Sequence, residues 1–298
     1  MTALEKDVLK VIAYFSFFGY PVTAFEIWKW QFQPSDHYSL DEVFEVLDSS
    51  RWLAKRIQQK DGHFALGDIE SQLKTRHRHF LQAVKKYKKL QLVLNYVARV
   101  PGIEAVAICN SLPFHFTRAE SDIDLFVVTE DGKLWSSRFM AVLPMLLLRQ
   151  RPGEVKKSPV DMSFFVAKSA LGLKEFRLEG KDPYFSFWTR SLLPVYEKHP
   201  GFFHQFQKEN AWAQKDLPNS QAGRRPASFR RSYRGGLPSF ISEALAERVS
   251  KKRLPKRLLD QANTDTCVVI TDDVLKFHVT DRRAEVSDHL DLCLQKNS

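Results

Sequence analysis

Three short apolar runs, Ile103–Ile108 (IEAVAI), Leu125–Thr129 (LFVVT) and Val160–Ala167 (VDMSFFVA), constrain this chain more than any other feature. Each is too short for a stable buried helix and is bounded by polar or turn-forming residues, so each reads as a buried strand. Between the second and third, Asp131-Gly132 supplies a turn and Trp135–Leu148 the pattern of a helix. Strand, loop, strand, helix, strand predicts a mixed α/β sheet. Pro101-Gly102 marks the start of this unit, and the chain as a whole is expected to be α+β.

The first 70 residues follow a different pattern. Leu4, Val8, Val11, Ile12 and Phe15 recur at helical spacing over residues 3–18, and Gly19-Tyr20-Pro21 ends that helix. Thr23 with Glu26 forms a capping-box signature for a second helix to Phe32, and Ser39 with Glu42 repeats it for a third to about Leu53. Lys55–Gln59 and His63–Gly67 flank Asp61-Gly62 and read as a hairpin. Three helices and a two-stranded ribbon predict a winged helix-turn-helix over residues 1–70. Its third helix is a poor reader of DNA, because it carries Asp41, Glu42, Glu45 and Asp48 where duplex binding needs Lys and Arg. A protein-contact or scaffold role is expected instead of sequence-specific DNA binding.

Residues 71–99 predict one long basic helix connecting the two units. His77 and His79 on it are two apart and do not share a face. Beyond the three strands, Pro183–Tyr196 and Gly201–Gln214 read as aromatic-rich core helices. Asn219–Gly236 has linker composition, and Cys267–Thr271 reads as a short strand in an otherwise helical tail. The expected division is 1–70, 71–99, 100–217 for the α/β unit with its helical extension, and 218–298 for a basic linker and helical tail.

Charge is unevenly spread over the 298 residues. Of the formal +10, residues 219–257 contribute +9 and residues 74–89 contribute +7, which leaves the remainder at −6. Such segments either bind phosphates and nucleic acid or are solvated linkers. A hydrophobic content of 44% excludes wholesale disorder. Cys109, Cys267 and Cys293 lack both disulfide and zinc-ligand spacing. The opening residues show no signal pattern, and Phe139–Leu148 is too short to span a bilayer, so a cytoplasmic protein without a membrane partner is expected.

The chemistry concentrates in one stretch. Ile108-Cys109-Asn110-Ser111 ends the first strand, and Ser121-Asp122-Ile123-Asp124 opens the second. Residues two apart on a strand project to the same side, which places both carboxylates together. Carboxylates that close repel unless a cation lies between them, and an oxygen-only ligand set suits Mg²⁺. Asp161, alone in its apolar strand, is a third carboxylate for the same cluster.

This pattern resembles the nucleotidyltransferase superfamily related to DNA polymerase beta, whose signature is a hydrophobic strand, Gly-Ser or Gly-Gly, Asp-x-Asp/Glu, then a later single acid. Asn110-Ser111, Asp122-Ile123-Asp124 and Asp161 match it across roughly residues 100–170. With a winged helix in front, the chain resembles bacterial nucleotidyltransferase-domain proteins. The family's first motif usually begins with Gly; Asn110 stands there, and Asn tolerates left-handed geometry best after Gly. The resemblance implies an enzyme that moves a nucleoside monophosphate, AMP rather than another, from a nucleoside triphosphate to a hydroxyl of an acceptor protein, RNA or small molecule. It implies two Mg²⁺ ions held by Asp122, Asp124 and Asp161. It further implies phosphates gripped by Ser111 in the loop Asn110-Ser111, with Ser121 beside it and Arg118, Lys133 or Arg138 adding charge. The competing reading is a catalytically inactive module of the same fold that contacts a protein or RNA partner. Arg283 and His289 are spaced like the Arg–His pair of HEPN ribonucleases, a spacing that chance alone supplies in a chain of this composition.

Overall fold

The computed structural model describes residues 1–229, 233, 235–278 and 281–297. Part of the expected linker, residues 230–232 and 234, lies outside the described residues.

The N-terminal unit contains α1 (Ala3–Ser16), β1 (Val22–Thr23), α2 (Ala24–Lys29), α3 (Leu40–Ser49), α4 (Arg51–Ala54), β2 (Gln58–Lys60) and β3 (His63–Ala65). Both expected capping boxes form: Thr23 and Ser39 accept from the backbone of Glu26 and Glu42, whose carboxylates bond back. The ribbon gains a strand the sequence did not announce, because β1 pairs antiparallel with β3. Asp41, Glu42, Glu45 and Asp48 all stand exposed on α3.

Helix α5 (Ile69–Val97) leads into a six-stranded mixed sheet. Its strands are β4 (Ile103–Ile108), β5 (Ile123–Thr129), β6 (Val160–Ala167), β7 (Leu193–Glu197), β8 (Val268–Ile270) and β9 (Val274–Phe277), in the order β7-β4-β5-β6-β9-β8. The pair β5–β6 is parallel and the others are antiparallel. Two expectations are corrected here. The segment Leu193–Glu197 is an edge strand, not the end of an aromatic helix, and α7 stops at Ser191 (Pro183–Ser191). In the tail, β8 falls within the strand expected at Cys267–Thr271, but β9 was not expected, and the β8–β9 hairpin extends the sheet beyond β6.

Helices cover both faces. Val106, Ile108, Leu125, Val127 and Phe165 pack against α5, α6 (Leu134–Leu147) and Ala246 of α10 (Glu243–Arg253). Phe126, Val128, Phe164 and Val166 pack on the other face against α7 and α8 (Phe202–Glu209). The strands carry apolar side chains on both faces, which is why they read as continuous apolar runs. The chain closes with α9 (Ala211–Asp216), α11 (Lys256–Gln261) and α12 (Arg283–Lys296).

The N-terminal unit is not a separate body. Its core of Val8, Ile12, Phe15, Ile27, Val43 and Leu53 is continuous with Phe187 of α7, Leu217, and Val286 and Leu290 of α12. Tyr14 stacks on Phe187 with ring centroids 3.8 Å apart and planes 11° apart. Ser16 hydrogen-bonds His289 at 2.9 Å.

Candidate metal and phosphate site

The sheet brings Asp122, Asp124 and Asp161 together. Each offers a carboxylate oxygen, and the three oxygens lie within 4.8 Å of one another. The pairing β5–β6 sets Asp124 directly opposite Asp161. A bulge makes this compatible with packing. The next register pair is Phe126 with Phe164, two residues on along β5 but three along β6. Without the additional residue, strict alternation would put Asp161 on the face opposite Phe164; the bulge lets both project to the same face as Asp124 and Phe126.

The end of β4 brings the polar turn alongside. The Cys109 amide donates to the carbonyl of Asp124 at 3.1 Å, so Asn110 and Ser111 leave the sheet next to the acids. Asn110 has φ of 61°, the left-handed geometry anticipated for a residue in the usual glycine position. The Trp188 indole donates to Asn110 Oδ1 at 3.0 Å and fixes its side chain. Ser111 continues into a single 3₁₀ turn, Leu112–Phe114.

The electrostatics favour a cation. Burial raises the ionisation of Asp124 to about 7, Asp161 adds to the rise, and the Asn110 side chain and Lys86 oppose it. Asp161 is raised by burial and by Asp122 against the pull of Ser163, Arg138 and Arg151. Asp122 is raised by burial, with Lys86 opposing. Three oxygen donors, each paying for desolvation and two of them raised further by a neighbouring acid, form a ligand set that a hard divalent cation relieves. The residues therefore fit Mg²⁺ by donor chemistry.

One residue of the site was not anticipated. Lys86 lies on the helix expected only to connect two units, yet it is 1% exposed and its charge opposes the rise of Asp122 and Asp124. Its ammonium donates to Thr117 Oγ1 at 2.7 Å and to the Ser121 carbonyl at 2.6 Å, and burial lowers its ionisation to about 8. Ser121 therefore enters the site through its backbone. A lysine in a basic helix carries no sequence mark of burial; the one available signal was its place on the same stripe as Leu90, Val93 and Val97.

The triad separates two cavities. On the α6 side a cavity of about 300 Å³ holds Asp122 and Asp161 with Arg138, Arg151 and Arg253. Arg138 Nε is buried there without a hydrogen-bond partner, and its guanidinium lies 4.8 Å from the Phe277 ring centroid. On the α7 side a cavity of about 600 Å³ joins all three acids to Asn110, Tyr184, Trp188 and the β9–α12 segment with Lys276 and Arg282.

Of the three cations expected to assist, only Arg138 reaches the acids. Lys133 sits at the opposite end of β5, paired with Glu130 at 2.7 Å and packed on Gly102, whose φ of 81° and close approach to the Lys133 Cβ leave no room for a side chain. Arg118 is exposed and faces His79 of α5. Arg283 is taken up by Asp281 and Asp182, and His289 by Ser16, so neither forms a separate catalytic pair. No protein-family model, curated protein or solved structure matches this chain. Among the described residues no helix is long and apolar enough to cross a membrane.

Proposed function

We propose that this chain is a divalent-cation-dependent nucleotidyltransferase, transferring a nucleoside monophosphate, AMP by preference, from a nucleoside triphosphate to an acceptor hydroxyl. The observation that carries this reading is the convergence of the Asp122, Asp124 and Asp161 oxygens beside the Asn110-Ser111 turn. The N-terminal helices with their three-stranded ribbon support a winged-helix reading, and the acids on α3 favour a contact or scaffold role over duplex reading.

Bound to the three aspartates, Mg²⁺ would neutralise phosphate charge and acidify the acceptor hydroxyl. The chain's own residues supply the rest. Asp161, raised in ionisation and open to both cavities, accepts the hydroxyl proton as the new oxygen–phosphorus bond forms at the α-phosphate. The bond to the leaving pyrophosphate breaks in the same displacement. The Ser111 N–H and hydroxyl hold phosphate oxygens on one side. Arg138, with its unpaired Nε, and Arg151 take up the charge of the leaving group on the other. Lys86 touches no substrate; it holds the Ser121 carbonyl and so the start of the Asp122–Asp124 segment.

The test is incubation with each of the four α-labelled nucleoside triphosphates, Mg²⁺ and cell extract. Label transfer that falls at least ~100-fold in Asp124→Asn is expected. No transfer from any of the four, with wild type and Asp124→Asn alike, would overturn the reading in favour of an inactive binding module.

A further inference from the structure

A partly open chamber of about 220 Å³ lies between the N-terminal unit and the sheet. Its walls come from both: Tyr14, Phe15 and Tyr20 from one side, Phe114, Phe187 and Trp188 from the other. An apolar cavity of ~150 Å³ admits a benzene ring, so this one has room for a larger planar ring system. The walls are not uniformly apolar. Tyr20 gives its hydroxyl to Glu26 at 2.6 Å, but the Tyr14 and Tyr184 hydroxyls have no hydrogen-bond partner among the described residues. Tyr14 is nonetheless only 5% exposed. Tyr184 is half-buried, and both phenols line the cavity with hydroxyls free to donate and accept, which suits a ligand with a hydrogen-bonding edge.

The position of the chamber identifies that ligand. Asn110 and Ser111 form its polar mouth, and Phe18, Asn110, Tyr184 and Trp188 line both it and the cavity that holds the three acids. A molecule with phosphates at the acids and a planar heteroaromatic ring beyond Ser111 spans the two. We propose that this chamber binds the nucleobase of the nucleotide, stacked among aromatic rings and hydrogen-bonded by Tyr14 and Tyr184, which makes the N-terminal unit a wall of the nucleotide site. The inference rests on the nucleotidyltransferase reading for the identity of its ligand. Aromatic faces recognise any base by stacking, and the two hydroxyls then discriminate among base edges.

The test separates the two claims. Adenosine, guanosine, cytidine and uridine are titrated calorimetrically into the full chain without metal, with inorganic tripolyphosphate and indole as controls. At least one nucleoside is expected to bind. Ser191 also lines the chamber, and Ser191→Phe, which places a ring there, should weaken that nucleoside at least about tenfold while changing tripolyphosphate affinity by less than about twofold. Tyr184→Phe, which keeps the ring, should weaken the nucleoside severalfold and guards against misfolding of the larger substitution. Asp41→Asn, on the exposed face of α3, should leave nucleoside binding unchanged. Failure of every nucleoside to bind, indifference to both chamber variants, or indole binding as tightly as the nucleosides would overturn the proposal. Nucleoside binding without transfer would keep the chamber and remove the transferase. Transfer with a nucleotide KM untouched by Ser191→Phe would keep the transferase and remove the chamber.

Discussion

Asp124 and Asp161 stand directly opposite each other on the parallel strands β5 and β6, immediately before the bulge that keeps Phe126 opposite Phe164. Two acids in adjacent register are expensive to ionise together, and the sheet holds them there by its own hydrogen bonds.

That arrangement fixes how stability responds to pH. Asp124 titrates near 7 in the folded chain against an ordinary value of 3.8, so between those values the native state binds more protons than the unfolded chain. Buried His278, with His79 and His115, is held below its ordinary value and acts in the opposite sense. The aspartate effect is therefore read as the stability of wild type minus that of Asp124→Asn in chelator. That difference should fall as pH rises from 5 to 8, by on the order of 2 kcal/mol given partial solvent contact. Excess Mg²⁺ should flatten the slope. Denaturant midpoints of both proteins at the two pH values measure it, and a wild-type-minus-variant difference that stays flat or rises with pH in chelator contradicts the repulsive pair.

Lys86 gives a second prediction. Its buried ammonium bonds Thr117 and the Ser121 carbonyl. Lys86→Met keeps most of the stem but leaves that carbonyl and hydroxyl without their donor. A loss of about 2–4 kcal/mol in urea unfolding is expected. A change within ~0.5 kcal/mol would mean that the ammonium does not hold this loop.

The N-terminal unit should melt with the rest. Phe187 of α7 is 1% exposed and completes the N-terminal core against Tyr14. Phe187→Ala is expected to destabilise by about 3–5 kcal/mol, and the whole chain should still unfold in one transition. Two separated calorimetric transitions in the wild type would show instead that residues 1–70 fold independently.

What the sequence disclosed follows the range of the interactions involved. Capping boxes at Thr23 and Ser39 were legible because they close within three residues. The three central strands were legible because both of their faces are covered. Strand β7 was hidden in an aromatic run whose edge position is set by pairing with β4, and β9 is four residues that join the sheet through β6, over a hundred positions earlier, as well as pairing with the neighbouring β8. The acids could be named from spacing, but the bulge that turns Asp161 toward them changes the parity of β6 and has no local signature. Lys86 and the aromatic chamber are products of tertiary packing, one looking like any surface lysine and the other like ordinary core.

Calorimetric titration of Mn²⁺ as a Mg²⁺ substitute, with electron paramagnetic resonance to count bound ions, tests the carboxylate cluster most directly. Saturable binding to the wild type is expected, weakened at least ~10-fold by Asp124→Asn and by Asp161→Asn, and unchanged by Asp41→Asn on the exposed face of α3. Equal affinity in all four proteins would contradict a cation site at these three aspartates.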